Sequence, residues 1–207
     1  MKDAAATEKR SYRQGARAEA AEATAVRIME AFLNRAETQW FDEITLDSLA
    51  QDAGVTVQTV IRRFGGKDGV VDSASDLFGR GVMNRRQVKT GDILKAVDAL
   101  SRDYEECGAL VMRVLSQEDR YPVLKRVADY GRVGHREWLA GMFAQWLTPL
   151  TPKAREARLD ALVAATDLYL WRLVRVDMGR DVPAYKKLVL NLIAGALDGA
   201  KPWEKSK

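Results

Sequence analysis

The sequence has 207 residues, 47% of them hydrophobic and 30% charged, and a formal net charge of +4. No stretch of about 20 apolar, uncharged residues occurs, which argues against a membrane span, and the single cysteine, Cys107, excludes an intramolecular disulfide. Alanine, leucine, arginine, glutamate and lysine dominate, while valine, isoleucine and threonine do not alternate in short runs. The composition therefore predicts a soluble, nearly all-helical globular chain of one or two domains.

Residues 1–22 are rich in alanine and polar side chains and carry a basic cluster of Lys9, Arg10, Arg13 and Arg17. This composition predicts a basic, flexible N-terminal arm, which most often is simply solvated and disordered; the alternative is that it follows the DNA backbone or enters the minor groove. The segment lacks the uninterrupted apolar core of a secretory signal, and we expect a cytoplasmic protein.

The spacing of residues 45–64 predicts two short helices joined by a tight turn. Thr45 is placed to cap the first helix, because its hydroxyl can accept from the free backbone N–H groups that follow. Gly54 ends this helix, where a left-handed backbone conformation is least costly for glycine. Between these ends, small and apolar residues form one face that another helix can approach: Leu49, Ala50 and Ala53.

The second helix follows a capping threonine, Thr56, and buries Val60 and Phe64 at i, i+4 spacing. Arginine matches guanine edges or phosphates, glutamine matches adenine, and an aliphatic side chain can contact a thymine methyl. The pattern thus predicts a helix-turn-helix that reads the major groove, with an ordinary helical hairpin as the alternative. The side chains expected to face outward are Val57, Gln58, Thr59, Ile61, Arg62 and Arg63.

Residues 24–72 resemble the DNA-binding domain of the tetracycline-repressor (TetR) family of transcriptional regulators. The family ends its recognition helix in Thr-Leu-Tyr-x-x-Phe with a lysine three residues beyond, and residues 59–64 are Thr-Val-Ile-Arg-Arg-Phe, followed by Lys67. A first helix with apolar residues at helical spacing precedes the motif: Ile28, Met29, Ala31, Phe32 and Ala36. The resemblance implies three helices and a long connecting helix, which together form a DNA-binding domain over residues 23–80.

The sequence departs from the family pattern at two places. Ile61 stands where the family commonly places a tyrosine against the DNA backbone, and Gln39 or Trp40 replaces the glycine that usually ends the first helix. Acidic and basic residues nearly balance in this segment, so DNA affinity depends on where the cations lie. The residues expected to contact DNA are Thr45, Thr56, Val57, Gln58, Thr59, Ile61, Arg62, Arg63 and Lys67.

Residues 81–207 are predicted to form a larger helical domain, because apolar residues recur there at helical spacing in several long segments. Aromatic and methionine side chains suit flat or irregular apolar ligands, although any one of them at helical spacing more often belongs to a plain hydrophobic core. His135, the only histidine, either contacts a ligand or lies on a helix surface. The residues predicted to line a pocket for a small-molecule effector are Tyr104, Met112, Trp138, Met142, Phe143, Trp146, Tyr169 and Trp171.

The last two helices are predicted to run from Pro152 to about Met178 and from Pro183 to about Leu197, with wide apolar faces. In the TetR family the last two helices of each subunit pack against their twins, so the resemblance implies a homodimer. The alternative is that these helices complete the core of a monomer. The residues expected at the dimer interface are Leu162, Thr166, Leu170, Leu188, Leu192 and Ile193.

Together these features predict a homodimeric repressor that a small apolar or aromatic effector releases from a palindromic DNA operator. A helical dimer that binds a small molecule or a protein, with weak or lost operator recognition, is the alternative. We expect no catalysis, cofactor or metal, because the chain lacks a nucleophile motif and a Cys/His cluster. The Gly-Gly-Lys run at residues 65–67 also lacks the full glycine spacing of a phosphate loop.

Overall fold

A computed structural model describes residues 2–199 and 201–203, except for the side chains of residues 2–14, 16 and 17. In this described part all regular structure is helical and no strand occurs, which confirms the all-α prediction. The chain divides into two compact units, Met1–Leu77 and Phe78–Lys207. Among the described residues, no helix is both long enough and apolar enough to cross a membrane.

The first unit contains the helices α1 (Lys2–Ala36), α2 (Leu46–Ala53) and α3 (Val57–Phe64), together with most of α4 (Lys67–Arg85). The buried faces of these helices meet in a small apolar core, because each helix presents apolar residues at three- and four-residue spacing. The core includes Ile28, Phe32, Leu49, Val60, Val70, Val71 and Ala74.

Helix α1 differs from the expected flexible arm, because it already begins at Lys2 and includes residues 2–22. Alanine, glutamate, lysine and arginine dominate this stretch, and all four residue types favour a helix. The side chains of Lys9, Arg10, Arg13 and Arg17 lie outside the described residues, so the predicted contacts of the arm with DNA stay a prediction.

The predicted caps of α2 and α3 are confirmed. The Thr45 hydroxyl accepts from the Ser48 backbone N–H at 3.1 Å, and the Ser48 hydroxyl accepts from the Thr45 N–H at 3.1 Å, which closes a capping box. Gly54 ends α2 with a φ of 65°, a left-handed conformation that favours glycine. The Thr56 hydroxyl accepts from the Thr59 N–H at 3.2 Å and so caps α3.

The second unit packs its long helices around one apolar core. Helices α5, α6, α8 and α10 supply the side chains that are most deeply buried, among them Leu100, Leu139, Leu162, Tyr185 and Ile193. The elements of this unit are α5 (Ile93–Leu115), α6 (Pro122–Met142), α7 (Ala144–Leu147), α8 (Pro152–Thr166), α9 (Leu168–Trp171), a π-helical segment (Arg172–Asp177) and α10 (Val182–Ala196).

The helix predicted from Pro152 to about Met178 is broken at Asp167. This residue has an extended conformation, with ψ at 151°, and its carboxylate accepts from the Tyr169 N–H at 2.8 Å, which starts α9. The chain then winds as the π-helical segment, and Trp171 Nε1 and Arg175 Nε both donate to Glu105 Oε1 at 2.7 Å. Aspartate competes for backbone N–H groups, which is the local reason for the break.

The sulfur of Cys107 lies inside the second unit. The side chain is buried on α5, and its Sγ donates to the Asp103 carbonyl oxygen at 2.9 Å. Burial raises the pKa of the thiol to about 11. The thiol is therefore protonated and unreactive in the folded chain.

Candidate functional site

Helix α3 presents a polar face to solvent. Gln58, Arg62 and Arg63 are exposed and Ile61 is 39% exposed, whereas Val60 on the opposite face is fully buried. Among the other predicted contacts, Thr45 and Thr56 are exposed, and Val57 and Thr59 are half-buried. Apart from Arg63 and Lys67, each of the nine predicted DNA-contacting residues therefore has at least part of its side chain accessible. Six of these seven lie on α3 or cap it, whereas Thr45 caps α2.

The two arginines of α3 differ in their surroundings. Arg63 Nη2 lies 2.5 Å from Glu22 Oε2 on α1, so an anion that binds Arg63 must compete with this carboxylate. The described part of the chain offers Arg62 neither a hydrogen bond nor an ion pair. An exposed, unpaired guanidinium is free to bind a guanine edge or a phosphate.

Lys67 is not positioned as expected for a DNA contact. Its ammonium group donates to the carbonyl oxygens of Phe41 at 2.7 Å and Ile44 at 2.9 Å, and it lies 3.9 Å from the centre of the Phe41 ring. Burial lowers the pKa of Lys67. The sequence indicated a cation beside DNA, but the four-carbon stem reaches back and fastens the loop between α1 and α2 to the start of α4.

Replacing Lys67 with methionine is expected to lower the free energy of unfolding by about 1–3 kcal/mol, because two charge-assisted hydrogen bonds are lost and two carbonyl groups lose their donor. Urea unfolding measures this change. Lys89→Met removes an exposed lysine elsewhere in the chain and serves as the control. If the variant kept its stability and bound every DNA duplex more weakly by a similar factor, the result would instead support the phosphate contact first expected for Lys67.

A further contact in the first unit was missed by the sequence reasoning. The Arg35 guanidinium on α1 donates to both carboxylate oxygens of Asp52 on α2, at 2.5 and 2.9 Å, and to Gln39 Oε1 at 3.3 Å. The turn after α1, where Gln39 or Trp40 replaces the glycine of the family pattern, is thus held by a bidentate ion pair. The sequence signal for this ion pair was an arginine in the last turn of one helix and an aspartate near the end of the next.

A buried ionic cluster occupies the second unit. Asp103 on α5 is 1% exposed, and its two carboxylate oxygens accept separately from Arg85 (Nε, 2.8 Å; Nη2, 2.7 Å) and from Arg86 (Nε, 2.8 Å; Nη2, 2.7 Å). Arg86 is itself only 7% exposed and lies over the rings of Tyr104 and Trp138. The cluster has no local sequence signature, because its partners are distant in sequence.

His135, on α6, is half-buried, in keeping with the partly exposed helix position expected for it, and it contacts the same cluster. The Thr166 hydroxyl donates to the Leu162 carbonyl oxygen at 2.8 Å, so it accepts from His135 Nε2–H at 3.0 Å. The other ring nitrogen, Nδ1, then presents its lone pair to Arg86 Nη1 at 3.4 Å. Burial, and next the positive charge of Arg86, lower the pKa of His135 to about 3, so the imidazole is neutral.

No protein-family model matches the chain. No curated protein matches it either. Among solved structures, a transcriptional regulator from Rhodococcus sp. Rha1 aligns with a TM-score of 0.66 and 17% identity, over 86% of this chain and 97% of that chain. A second structure, described as a TetR-family transcriptional regulator from Rhodococcus sp., has a TM-score of 0.66 and 12% identity over 84% and 98% of the two chains. The chain has the TetR-regulator fold.

The residues predicted to line an effector pocket fall into three groups in this TetR-like fold. Tyr104, Met142, Phe143 and Trp171 are buried in the core of the second unit. The remaining ones, Met112, Trp138, Trp146 and Tyr169, are less buried. The first three of these pack against that core, whereas Tyr169 is 54% exposed. The pocket therefore stays a prediction, with Tyr169 as its most exposed member.

The residues predicted at the dimer interface also fall into two groups, which differ in how exposed their side chains are. Leu162, Thr166 and Ile193 are at most 2% exposed, so they belong to the core of one chain and were wrongly placed at an interface. Leu170 and Leu188 are half-buried, and Leu192 is 40% exposed. Apolar periodicity identifies a helix with two apolar faces, but it does not tell which of them packs within the chain.

Proposed function

We propose that this protein is a sequence-specific DNA-binding transcriptional regulator that reads its operator with α3. The observation that supports this most directly is the outward face of α3, which Val60 fixes from behind. It carries Gln58 and Arg62, and no described group forms a hydrogen bond or an ion pair with the Arg62 guanidinium. A capped helix with this surface chemistry suits the major groove. The TetR-like fold and the solved regulators that share it support the same conclusion.

A binding module with weak operator recognition is the second candidate, and two observations favour it. Arg63 is paired with Glu22, and Lys67 is bound to backbone carbonyl groups, so the surface around α3 has fewer available cations than the sequence suggests. Phosphate contacts supply much of the affinity of most DNA-binding proteins. The two candidates therefore differ in whether α3 discriminates one duplex from another.

Arg62→Ala is expected to weaken binding to the operator by about 1–3 kcal/mol and to leave binding to a scrambled duplex almost unchanged. Arg63→Ala is expected to have a smaller effect, because DNA must displace Glu22 to use that guanidinium. The measurement is the affinity for the DNA upstream of the gene and for a scrambled duplex of equal length, across a salt series. If Arg62→Ala and Arg63→Ala each lost as much affinity for the scrambled duplex as for the upstream DNA, the binding module would be favoured.

We also propose a homodimer, formed through α8 and α10. Both helices keep an exposed face after the chain has folded, and the two helices pack against each other. The faces carry small and apolar residues at three- and four-residue spacing, which lets a second copy approach closely. The residues on these faces are Ala157, Ala161 and Ala164 of α8 and Leu188, Leu192 and Gly195 of α10.

Leu192→Arg is expected to weaken the dimer by about 2 kcal/mol or more, because it places a charge at the centre of an apolar contact. Sedimentation equilibrium measures the dissociation constant. The matched control is Leu94→Arg, since Leu94 on α5 is 43% exposed but lies outside the proposed interface. Equal dimer stability in the two variants would place the interface elsewhere on the chain.

We further propose that the protein represses transcription and that an effector releases it from its operator. Two α3 helices related by a twofold axis would read a palindromic operator in successive turns of the major groove. A small-molecule effector bound in the second unit would lower operator affinity if it prefers the subunit arrangement that binds DNA less well. The aromatic residues of that unit support an effector with an apolar or aromatic body.

A further inference from the structure

Acidic side chains outnumber basic ones in residues 18–77, the part of the first unit whose side chains the structure describes. This stretch contains eleven aspartates and glutamates but five arginines and lysines. The excess lies outside residues 45–64, which contain two acidic and two basic residues. A surface of this kind attracts a duplex only where individual cations reach its phosphates. Each accessible cation beside α3 therefore has a large influence on the affinity for DNA.

Three of these five cations are held within the protein. Arg27 and Arg35 bind groups at the end of α2, and Lys67 binds two backbone carbonyl groups. The other two are Arg62 and Arg63 on α3. Of these two, Arg63 alone has a described partner, the Glu22 carboxylate on α1.

The contact between Arg63 and Glu22 is exposed and uses a single pair of atoms. The Arg63 side chain is 44% exposed and that of Glu22 is 65% exposed, and only Nη2 and Oε2 meet, at 2.5 Å. A guanidinium can bind a carboxylate or a phosphate through two parallel hydrogen bonds, so this contact uses less than its capacity. Exposed ion pairs of this kind are weak, and a phosphate can displace the carboxylate.

Arg63 lies at the flank of the face that α3 is proposed to place in the major groove. Gln58 and Arg62 share one line along this face, because they are four residues apart, whereas Arg63 lies about 100° further round the helix. The major groove is about 12 Å wide, and a helix with its side chains is about 10–12 Å across, so the flanks of the helix face the phosphates that line the groove. A cation at the flank suits a phosphate better than a base edge.

We propose that the Glu22 carboxylate occupies the place that a DNA phosphate takes at Arg63, and that it competes with the duplex for this guanidinium. Carboxylate and phosphate oxygens accept from a guanidinium in the same geometry, so one anion can replace the other. The exchange limits phosphate binding whatever the base sequence, while Arg62 stays available for base edges. This inference rests on the function proposed above, because it places α3 in the major groove.

The test measures the affinity of the full chain for the scrambled duplex across a salt series, with Glu22→Gln and Arg63→Ala introduced singly and together. Glu22→Gln keeps the shape of the side chain and removes its charge. It is expected to raise the affinity by about two- to fivefold and to steepen the salt dependence by about one phosphate contact. In the Arg63→Ala background the same substitution is expected to leave the affinity almost unchanged, because the competing carboxylate no longer has a site to block.

Glu19→Gln is the matched control. Glu19 is exposed on α1, three residues before Glu22, and no described group forms a hydrogen bond or an ion pair with it. This variant removes the same charge from the same helix, so its effect measures the general consequence of a less acidic surface. The proposal is overturned if Glu22→Gln gains no more affinity than Glu19→Gln, or if its gain is equally large in the Arg63→Ala background.

The result can be distinguished from the outcome for the proposed function, which depends on whether Arg62→Ala loses discrimination between two duplexes. If Arg62 discriminates but Glu22→Gln gains no affinity, the inference is overturned and the regulator stands. If Glu22→Gln gains affinity only where Arg63 is present, and Arg62 does not discriminate, the phosphate exchange stands and sequence-specific reading is overturned. If neither the wild type nor Glu22→Gln binds any duplex, both are overturned.

Discussion

Replacing Asp103 with alanine is expected to lower the free energy of unfolding by about 3–5 kcal/mol. The carboxylate is the shared acceptor of Arg85 and Arg86, and the second of these is only 7% exposed. Without Asp103, the Arg86 guanidinium would remain in the core of the second unit with no counter-charge. Urea unfolding followed by tryptophan fluorescence reports on this unit, because four of the five tryptophans lie in residues 78–207.

Glu106→Ala provides the matched control for Asp103→Ala. Glu106 lies on the same helix and also faces Arg85, at 3.8 Å, but its side chain is 65% exposed. Exposed ion pairs contribute at most about 1 kcal/mol, so this variant should unfold almost like the wild type. If the two variants lost similar stability, the buried cluster would not have the structural role assigned to it.

Gly69→Ala is expected to destabilise the first unit by about 3 kcal/mol or more and to abolish specific DNA binding. A Cβ atom on Gly69, in the first turn of α4, would lie 1.8 Å from the carbonyl oxygen of Phe64, the last residue of α3. Overpacking against side chains usually costs about 1–3 kcal/mol, and backbone cannot move aside as a side chain can. Hydrogen exchange of residues 46–64 would show the loss locally.

A second glycine-to-alanine variant separates the clash from the general effect of alanine in a helix. Gly131 lies exposed within α6, and a Cβ atom there would meet nothing within 4 Å. Gly131→Ala should therefore stabilise the protein by about 0.5–1 kcal/mol. If the backbone amides of α2 and α3 exchanged hydrogen in Gly69→Ala at the same rates as in the wild type, the junction between α3 and α4 would be able to widen without cost.

Local features of the fold could be predicted from the sequence because their causes lie within a few residues. Thr45, Gly54 and Thr56 act on backbone groups no more than four positions away, and all three caps are confirmed. The overall helical class followed from composition and periodicity for the same reason. The break at Asp167 was missed, although aspartate before an apolar run is a recognisable start of a helix.

The features that the sequence did not reveal depend on contacts between distant residues. Lys67 meets carbonyl groups more than 20 positions earlier, and Asp103 binds Arg85, the last residue of α4, and Arg86, which follows it. Periodicity likewise could not tell that Leu162 and Ile193 face the core while Leu192 faces solvent. Residue type restricts what a side chain can do, but only the fold determines which partner is within reach.

The buried thiol of Cys107 makes this chain convenient for labelling studies. Its sulfur donates to the Asp103 carbonyl oxygen, and burial keeps the thiol protonated, so maleimide reagents should leave it unmodified in the native protein. A cysteine introduced at an exposed position such as Gln58 would then be the one site that reacts. A fluorophore there would record the arrival of DNA at α3 directly, without removal of any native residue from the core.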